Sequence, residues 1–213
     1  MTEFAILLGG DVSPTPRLAR QLEGRRTIAA DSGMRHADQL DLTPELWTGD
    51  FDSVGETMRE SFPAVPREVF PAEKDMTDGE IAVEAALQRG ARSLLLLGAF
   101  GGPRPDHAFL HMAMALRLAE QGLEVTLTSG EQEGVPLLPG ERAFDYASGT
   151  LFSVVGFTPL SGLTLTGAKW PLDRHEVDFG SSLTLSNEVA GTLHAGLAQG
   201  RAMLIAHLGM EVG

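Results

Sequence analysis

The sequence predicts an α/β protein with an N-terminal open, mostly parallel sheet flanked by helices and a C-terminal all-β sandwich. Over residues 1–130, short apolar runs alternate with segments of helical periodicity, which is the pattern of strands joined by crossover helices. Over residues 131–213 the helical periodicity ends, and short segments rich in Val, Thr, Leu and Phe are separated by Gly and Pro. We therefore predict two domains, residues 1–130 and 131–213.

The N-terminal elements follow from apolar runs and turn signals. Runs that are apolar on both faces predict central strands of a parallel sheet, and the predicted strands are 4–8, 27–30, 44–48, 67–70, 93–97 and 124–128. Helical spacing predicts helices at 15–23, 34–40, 55–63 and 106–120, with Asp31 or Ser32 as the cap of the second. Another helix ends at Gln88 and begins at a capping box formed by Thr77 and Glu80.

The C-terminal part contains only short β-type segments. Strands are predicted at 151–155, 163–166, 183–186, 192–194 and 202–207. These segments are alike in composition but do not form an internal repeat.

Composition limits the classes of function. The 213 residues carry a formal net charge of −13, which disfavours nucleic acid or an anionic membrane as the main partner. The chain has no Cys and no apolar run long enough to span a membrane, and its first residues are expected to form a strand rather than a signal peptide. We therefore expect a cytoplasmic protein. An acidic protein that handles polyphosphate would need Mg²⁺ as an intermediary.

Acidic residues follow several of the predicted strands. Asp50 and Asp52 alternate around one apolar residue after Gly49, and Asp31 ends the preceding strand. The carboxyl ends of parallel strands share one edge of the sheet, where ligands bind. Asp75 and Asp78, just before and at the start of a helix, belong to the same predicted edge. Such oxygen clusters suit Mg²⁺, although Gly, Asp and Ser are also ordinary turn residues.

A loop rich in Gly and Pro precedes the helix at 106–120. Gly101 and Gly102 can present a nest of N–H donors, and Arg104 offers a planar fork to phosphate oxygens. Asp106 or His107 could cap the helix or orient Arg104 or a metal-bound water. Neither a P-loop nor a dinucleotide-binding motif is present.

Trp170 lies beside a proline in the β region and permits two interpretations. A tryptophan in such a place usually packs against the core, but its ring can also stack on a heteroaromatic or cationic ligand. Ser186 and Asn187 could hydrogen-bond the polar edge of the same ligand. From the residues alone, packing is favoured.

Taken together, these motifs resemble the thiamine pyrophosphokinase (thiamine diphosphokinase) family over nearly the whole chain. The resemblance lies in the order of the following motifs: Ala30-Asp31-Ser32-Gly33, Gly49-Asp50-Phe51-Asp52-Ser53, Asp75-Met76-Thr77-Asp78, Gly101-Gly102 with Arg104, Asp106 and His107, Thr166-Gly167-Ala168-Lys169-Trp170-Pro171-Leu172, and Ser186-Asn187-Glu188. It implies transfer of diphosphate from ATP to the hydroxyethyl group of thiamine, giving AMP and thiamine diphosphate. It also implies a homodimer whose active sites lie between subunits.

The resemblance assigns roles residue by residue. Asp50, Asp52, Asp75 and Asp78 would form the catalytic Mg²⁺–ATP cluster, and Asp75 or Asp78 is the candidate base for the thiamine hydroxyl. ATP and its phosphates would contact Asp31, Ser32, Lys74, Thr77, Arg104, Asp106 and His107. Thiamine would contact Trp170, Ser186 and Asn187.

One departure and three alternatives remain at this stage. The family usually has G-G-R-x-D-H, whereas residues 101–107 carry one extra residue and two prolines. The alternatives are a diphosphokinase acting on another alcohol such as a hydroxymethylpterin, a non-catalytic module that binds a nucleotide or thiamine diphosphate, and a Mg²⁺-dependent phosphohydrolase. Four carboxylates that repel one another disfavour the non-catalytic module.

Overall fold

The computed structural model describes residues 2–51, 54–69 and 75–209. Of the predicted site residues, Asp52 and Lys74 lie outside the described part. The chain forms two compact units, Met1–Ala108 with Leu127–Gly130, and Phe109–Thr126 with Glu131–Gly213. The first predicted domain ends at residue 130. In the structure, however, residues 109–120 of the helix that begins at Pro105 belong to the second unit.

The first unit contains a parallel sheet. Its strands are β1 (Glu3–Leu7), β2 (Arg26–Ala30), β3 (Leu46–Gly49), β4 (Arg67–Val69) and β5 (Ser93–Leu97). The order in the sheet is β5-β1-β2-β3-β4, and every neighbouring pair is parallel. The chain returns to this unit at the end of β6 (Glu124–Thr128), where the N–H of Gly98 donates to the carbonyl of Thr128 at 2.9 Å. β5 is buried along its whole length, as a strand covered on both faces should be.

Among the described residues, five α-helices follow from local sequence signals. They are α1 (Pro16–Leu22), α2 (Arg35–Gln39), α3 (Glu56–Ser61), α4 (Asp78–Gln88) and α5 (Pro105–Glu120). Thr15 caps α1 through its hydroxyl, and the predicted capping box of Thr77 and Glu80 starts α4. α4 packs on β1, β2 and β3. Within the described residues, no helix combines the length and the apolar content that crossing a membrane requires.

The predicted cap of the second helix is wrong. Asp31–Met34 forms a 3₁₀ turn that leads directly into α2, and neither helix start has a side-chain cap. Asp31 has a φ of 44°, a left-handed conformation that a capping residue does not adopt. The helical segment therefore begins at Asp31 as a 3₁₀ turn, and neither predicted side chain caps it.

The second unit contains antiparallel strands around one apolar core. They are β7 (Gln132–Leu137), β8 (Gly140–Phe144), β9 (Leu151–Gly156), β10 (Leu160–Ala168), β11 (Leu172–Val177), β12 (Asn187–Leu197) and β13 (Ala202–His207). The order is β11-β10-β12-β9-β13-β7, and β8 pairs with β12. The long β12 therefore belongs to two groups of strands, and side chains from both groups fill the core. The predicted fold class is confirmed.

The predicted strand at 183–186 is wrong. These residues form a turn between β11 and β12, with Leu183 and Leu185 exposed and Thr184 buried. The Thr184 hydroxyl donates to the carbonyl of Val154 at 2.6 Å, so the polar residue faces inward. The alternation of Leu and polar residues had instead indicated a strand in which Leu183 and Leu185 are buried and Thr184 is exposed.

Candidate functional site

The carboxyl ends of β1, β2, β3 and β5 meet through close backbone contacts. A methyl group at Gly10 would overlap the carbonyl oxygen of Gly98 and lie 2.6 Å from that of Phe100. A methyl group at Gly33 would overlap the carbonyl oxygen of Leu7. Only glycine allows such approach, so the loops after these strands share one packed edge, here called the carboxyl edge. Loops 9–11, 31–33 and 98–102 therefore come together within the first unit. That the acidic residues after the strands and at the start of α4 share this edge with Arg104 stays a prediction.

Asp31 joins β2 to β3 at the carboxyl edge. Its carbonyl accepts a hydrogen bond from Trp47 Nε1 at 2.9 Å, and a methyl group at Gly49 would lie 3.3 Å from its Oδ1. Ser32 follows with its hydroxyl facing the loop after β1, 2.9 Å from the position of a methyl group at Gly9. Both residues are half-buried. Two polar residues that follow β2 thus lie at the carboxyl edge, close to the ends of β1 and β3.

Asp50 follows β3 and is half-buried, directly before a residue that reverses the chain. That residue, Phe51, has a φ of 62° and buries its ring against Trp47, with ring centroids 5.0 Å apart at 75°. The Arg59 guanidinium lies 5.8 Å from the centre of the Phe51 ring and donates to the Phe51 carbonyl. Burial of the phenyl ring fixes the turn in which Asp50 lies, although a positive φ is unfavourable for such a residue.

The start of α4 supplies the next two predicted carboxylates. Asp75 is exposed and Asp78 is half-buried in the first turn of the helix. The Thr77 hydroxyl accepts from the N–H of Glu80 at 3.3 Å, and the Thr77 N–H donates to Glu80 Oε2 at 3.1 Å. The capping box therefore occupies both polar groups of Thr77 and places Asp78 where the helix dipole favours a negative charge.

The loop after β5 presents an exposed ion pair. Arg104 donates from Nε to Asp106 Oδ1 at 3.0 Å and from Nη2 to Asp106 Oδ2 at 2.7 Å, a bidentate arrangement. These hydrogen bonds hold the pKa of the Asp106 carboxyl far below its usual range. The carbonyl of Arg104 accepts from the N–H of His107, which is half-buried at the start of α5. Asp106 thus orients Arg104.

The described members of the predicted acidic cluster, Asp50, Asp75 and Asp78, do not form a closed metal site. Across residues 2–51, 54–69 and 75–209, no three His, Asp or Glu side chains are grouped closely enough to hold a metal ion among them. The described donors that could contribute are the carboxylates of Asp50, Asp75 and Asp78. Asp52, the fourth predicted ligand, lies outside these ranges.

In the second unit, Trp170 is held by the side chain of Asn187. Asn187 Oδ1 accepts from the N–H of Trp170 at 3.2 Å, and its Nδ2 donates to the Trp170 carbonyl at 2.8 Å. Asn187 is only 5% exposed, whereas Trp170 is 56% exposed. The interpretation of Trp170 as a core residue is therefore wrong, because its backbone is fixed while its ring faces outward.

A lysine paired with a glutamate lies over the exposed ring. Lys169 Nζ lies 5.1 Å from the centre of the Trp170 ring and 2.8 Å from Glu188 Oε2. Ser186 is exposed with a φ of 57°, and its N–H donates to the Ser153 hydroxyl at 3.0 Å. The three predicted thiamine-site residues are close together. Trp170 is hydrogen-bonded to Asn187, and Ser186 directly precedes Asn187 in the chain.

Sequence reasoning missed part of the carboxyl edge. Arg35 and His36, at the start of α2, contact the carbonyl groups of the Gly9–Gly10 turn. A glycine pair at the end of a strand was the available signal for the turn. No pattern in the sequence indicated its partners, because they follow a different strand.

Comparison with known proteins adds independent evidence. Residues 22–127 match the family model described as thiamin pyrophosphokinase, catalytic domain, and residues 143–195 match thiamin pyrophosphokinase, vitamin B1 binding domain. The chain is 29% identical over 198 residues to the thiamine pyrophosphokinase of Bacillus subtilis (strain 168), covering 89% of this chain and 90% of that protein.

Solved structures show the same similarity. The crystal structure of thiamine pyrophosphokinase from Bacillus subtilis superposes with a TM-score of 0.86 at 25% identity, covering 98% of this chain and 100% of that one. The thiamin pyrophosphokinase structure from Geobacillus thermodenitrificans has a TM-score of 0.81 at 28% identity, covering 96% and 97% of the two chains.

A parallel α/β unit with Asp31 and Asp50 at the ends of its strands, followed in one chain by an antiparallel β unit, is a scaffold on which ligands bind beyond the carboxyl ends of the parallel strands. The two family models match in the order catalytic domain, then vitamin-binding domain. The chain belongs to the thiamine pyrophosphokinase family, whose members are ATP-dependent diphosphotransferases.

Proposed function

We propose that this chain transfers diphosphate from ATP to the hydroxyethyl group of thiamine, giving thiamine diphosphate and AMP. The observation that carries the proposal is the placement of the candidate residues within the two family matches. The acidic edge and the Arg104–Asp106 pair lie inside residues 22–127, and the Trp170–Asn187 pair lies inside residues 143–195. We further propose that residues 1–130 bind ATP and catalyse transfer, and that residues 131–213 bind thiamine and support dimerisation.

The proposed reaction is a displacement at the β-phosphorus of ATP. The thiamine hydroxyl oxygen forms a bond to the β-phosphorus, the bond from that phosphorus to the oxygen bridging the α-phosphorus breaks, and AMP leaves. The hydroxyl proton passes to a carboxylate, for which Asp78 or Asp75 at the start of α4 is the candidate. Most of the rate enhancement in such transfers comes from positioning and charge neutralisation.

The remaining residues have positioning roles in this proposal. Arg104, oriented by Asp106, binds phosphate oxygens together with His107 and the N–H groups of the glycine loop. Asp31, Ser32, Lys74 and Thr77 contribute to the nucleotide site. Trp170 stacks on the thiamine ring system, and Ser186 with the Asn187 segment binds its polar edge. The acidic residues of the carboxyl edge also favour a cationic thiazolium.

Mg²⁺ is the proposed metal, held by Asp50, Asp52, Asp75 and Asp78. The described donors are carboxylate oxygens, which suit this ion, and Mg²⁺ binds through one or two carboxylates plus waters and substrate phosphates rather than an all-protein cage. When bound, it neutralises charge on the phosphate oxygens of ATP. Among the residues that the structure describes, no three His, Asp or Glu side chains are clustered, which is compatible with that mode of binding.

The product assay decides the function. Purified protein is incubated with ATP, Mg²⁺ and thiamine, and AMP is separated from ADP. We expect thiamine-dependent AMP with an equal amount of thiamine diphosphate, and at least about a 100-fold loss for Asp50→Asn. Asp38→Asn, an exposed substitution on α2, is the matched control and should retain activity. ADP, or phosphate released without thiamine, would contradict diphosphate transfer to thiamine.

We also propose a cytoplasmic homodimer with active sites shared between subunits. Three exposed apolar side chains, Phe179, Leu183 and Leu185, surround the turn before the Trp170 partner Asn187, and a second copy would cover them. The chain contains no Cys that would require an oxidising compartment.

Mixed dimers test the shared sites. Asp50→Asn and Trp170→Ala chains are co-expressed with different tags and assayed below the thiamine KM. If each site takes its acidic edge from one subunit and its tryptophan from the other, random assembly restores about a quarter of the wild-type sites. Activity no higher than the mean of the two variants would contradict shared sites.

A further inference from the structure

The first two residues of α2 donate hydrogen bonds to the turn that follows β1. Arg35 Nη2 donates to the carbonyls of Gly9 at 2.6 Å and Gly10 at 3.0 Å. His36 Nε2 lies 2.8 Å from the same Gly10 carbonyl. The turn is thus held by two side chains from the element that follows the neighbouring strand β2.

The Gly9–Gly10 turn separates two parts of the proposed nucleotide site. On one side, a methyl group at Gly9 would lie 2.9 Å from the Ser32 hydroxyl oxygen. On the other side, the N–H of Gly10 donates to the Gly98 carbonyl at 3.0 Å, and a methyl group at Gly102 would lie 3.8 Å from Gly10 Cα. Any displacement of Gly10 must therefore move loop 98–104, which ends at Arg104.

His36 is suited to a fixed structural contact. It is 3% exposed, and a carbonyl oxygen can only accept, so Nε2 carries the hydrogen. Burial lowers the pKa of His36, the positive charge of Arg35 lowers it further, and the Gly10 carbonyl, Gln39 and Asp11 act in the opposite direction. The ring is therefore neutral near pH 7. Arg35 is partly exposed and its Nη2 also lies 3.9 Å from Asp11 Oδ1.

We infer that Arg35 and His36 are positioning residues that fix the Gly9–Gly10 turn beneath loop 98–104 and thereby set the place of Arg104 relative to the ATP phosphates. This inference rests on the proposed function of loop 98–107 as the phosphate site. Neither side chain acts on the phosphates; both act through the carbonyl of Gly10. A weakened turn should reduce ATP affinity without changing thiamine affinity.

Hydrogen exchange of the ligand-free protein tests the inference without relying on turnover. His36→Leu removes the donor, while His36→Gln keeps a donor of similar reach. We expect amides of residues 98–104 to exchange about tenfold faster in His36→Leu and at the wild-type rate in His36→Gln. Arg35→Gln is the second variant, since it lies at the surface and should fold even if His36→Leu does not. Arg20→Gln on α1 is the matched surface control.

Steady-state kinetics give the second readout. In Arg35→Gln and His36→Leu, the KM for ATP should rise about tenfold while the KM for thiamine stays unchanged. Unchanged exchange of residues 98–104 in both variants would overturn the positioning role, as would faster exchange spread evenly over both units. Failure of the wild-type protein to produce AMP would overturn the proposed function instead, and the exchange result would still decide how the loop is held.

Discussion

The carboxyl edge of the first unit and the Trp170 segment of the second are held by different kinds of contact. At the carboxyl edge, glycines bring backbone against backbone, so that a methyl group at Gly10 or Gly33 would overlap a carbonyl. At Trp170, one buried amide side chain holds the backbone and leaves the ring exposed. Packed backbone leaves little freedom for adjustment, whereas the hydrogen bonds of a single side chain can break without disturbing the rest of its unit. The carboxyl edge should therefore tolerate substitution poorly, and the Trp170 segment should tolerate it better.

The largest expected effect comes from a methyl group at the carboxyl edge. Gly10→Ala should lower the free energy of unfolding by about 3 kcal/mol, because the new Cβ overlaps backbone atoms that cannot rotate away. Gly55→Ala, where the methyl group meets open space, should cost less than about 1 kcal/mol. Urea denaturation of both variants measures the difference. Equal stability of the two would show that the glycine contacts do not hold the carboxyl edge.

Removal of the Asn187 side chain, which holds the backbone of Trp170, should have a smaller and more local effect on stability. Asn187→Ala leaves the N–H and carbonyl of Trp170 without their amide partner, which should cost about 2 kcal/mol of stability. If the Asn187–Trp170 hydrogen bonds hold the thiamine site, the KM for thiamine should rise about tenfold and the KM for ATP should not change. Gln199→Ala removes an exposed amide from the same unit and serves as the control. A parallel rise in both KM values would place the effect in general destabilisation of the protein.

The same contrast explains which features could be predicted from the sequence. Apolar runs such as 93–97 predicted buried parallel strands, because both faces of these strands are covered. The acidic residues were located because each follows a strand or begins a helix, a relation visible in linear order. By contrast, the strands β8 and β11 carry mainly charged and exposed residues, and no apolar pattern marked them.

Long-range polar contacts could not be predicted in the same way. Asn187 is hydrogen-bonded to a residue 17 positions away, and His36 to one 26 positions away. Local sequence around either residue does not contain its partner. Thr184 illustrates the converse error, because a local alternation of Leu and polar residues was outweighed by one buried hydrogen bond. The sequence named candidate residues for the site, and their functional roles stay predictions. The contacts that hold these residues could be found only from the fold.

The next expected effect is a pH dependence of stability that arises at His36 in the first unit. Burial lowers the pKa of His36 below its ordinary value of 6.5, so the unfolded chain takes up a proton at this residue before the folded protein does. Stability from the neutral, buried ring is complete above pH 6.5 and is lost as the pH falls toward the lowered value. Urea midpoints at pH 8.0 and 5.5 should differ more in the wild-type protein than in His36→Gln. A pH dependence identical in the two proteins would show that His36 does not titrate with a lowered pKa.

The smallest effect on stability is expected at the exposed end of loop 98–104. Hydrogen bonds from Arg104 hold the pKa of the Asp106 carboxyl below the ordinary value of 3.8. Arg104→Gln should therefore raise the pKa of Asp106 toward that value, which NMR titration of the carboxyl carbon measures. The unfolding midpoint at pH 7 should stay unchanged, because both side chains are mostly exposed and solvent screens their attraction. ATP binding should weaken nevertheless if the guanidinium contacts phosphate. A marked loss of stability would mean that the Arg104–Asp106 pair supports the carboxyl edge as the glycine contacts do. The distinction between a packed edge and an exposed ion pair would then not hold.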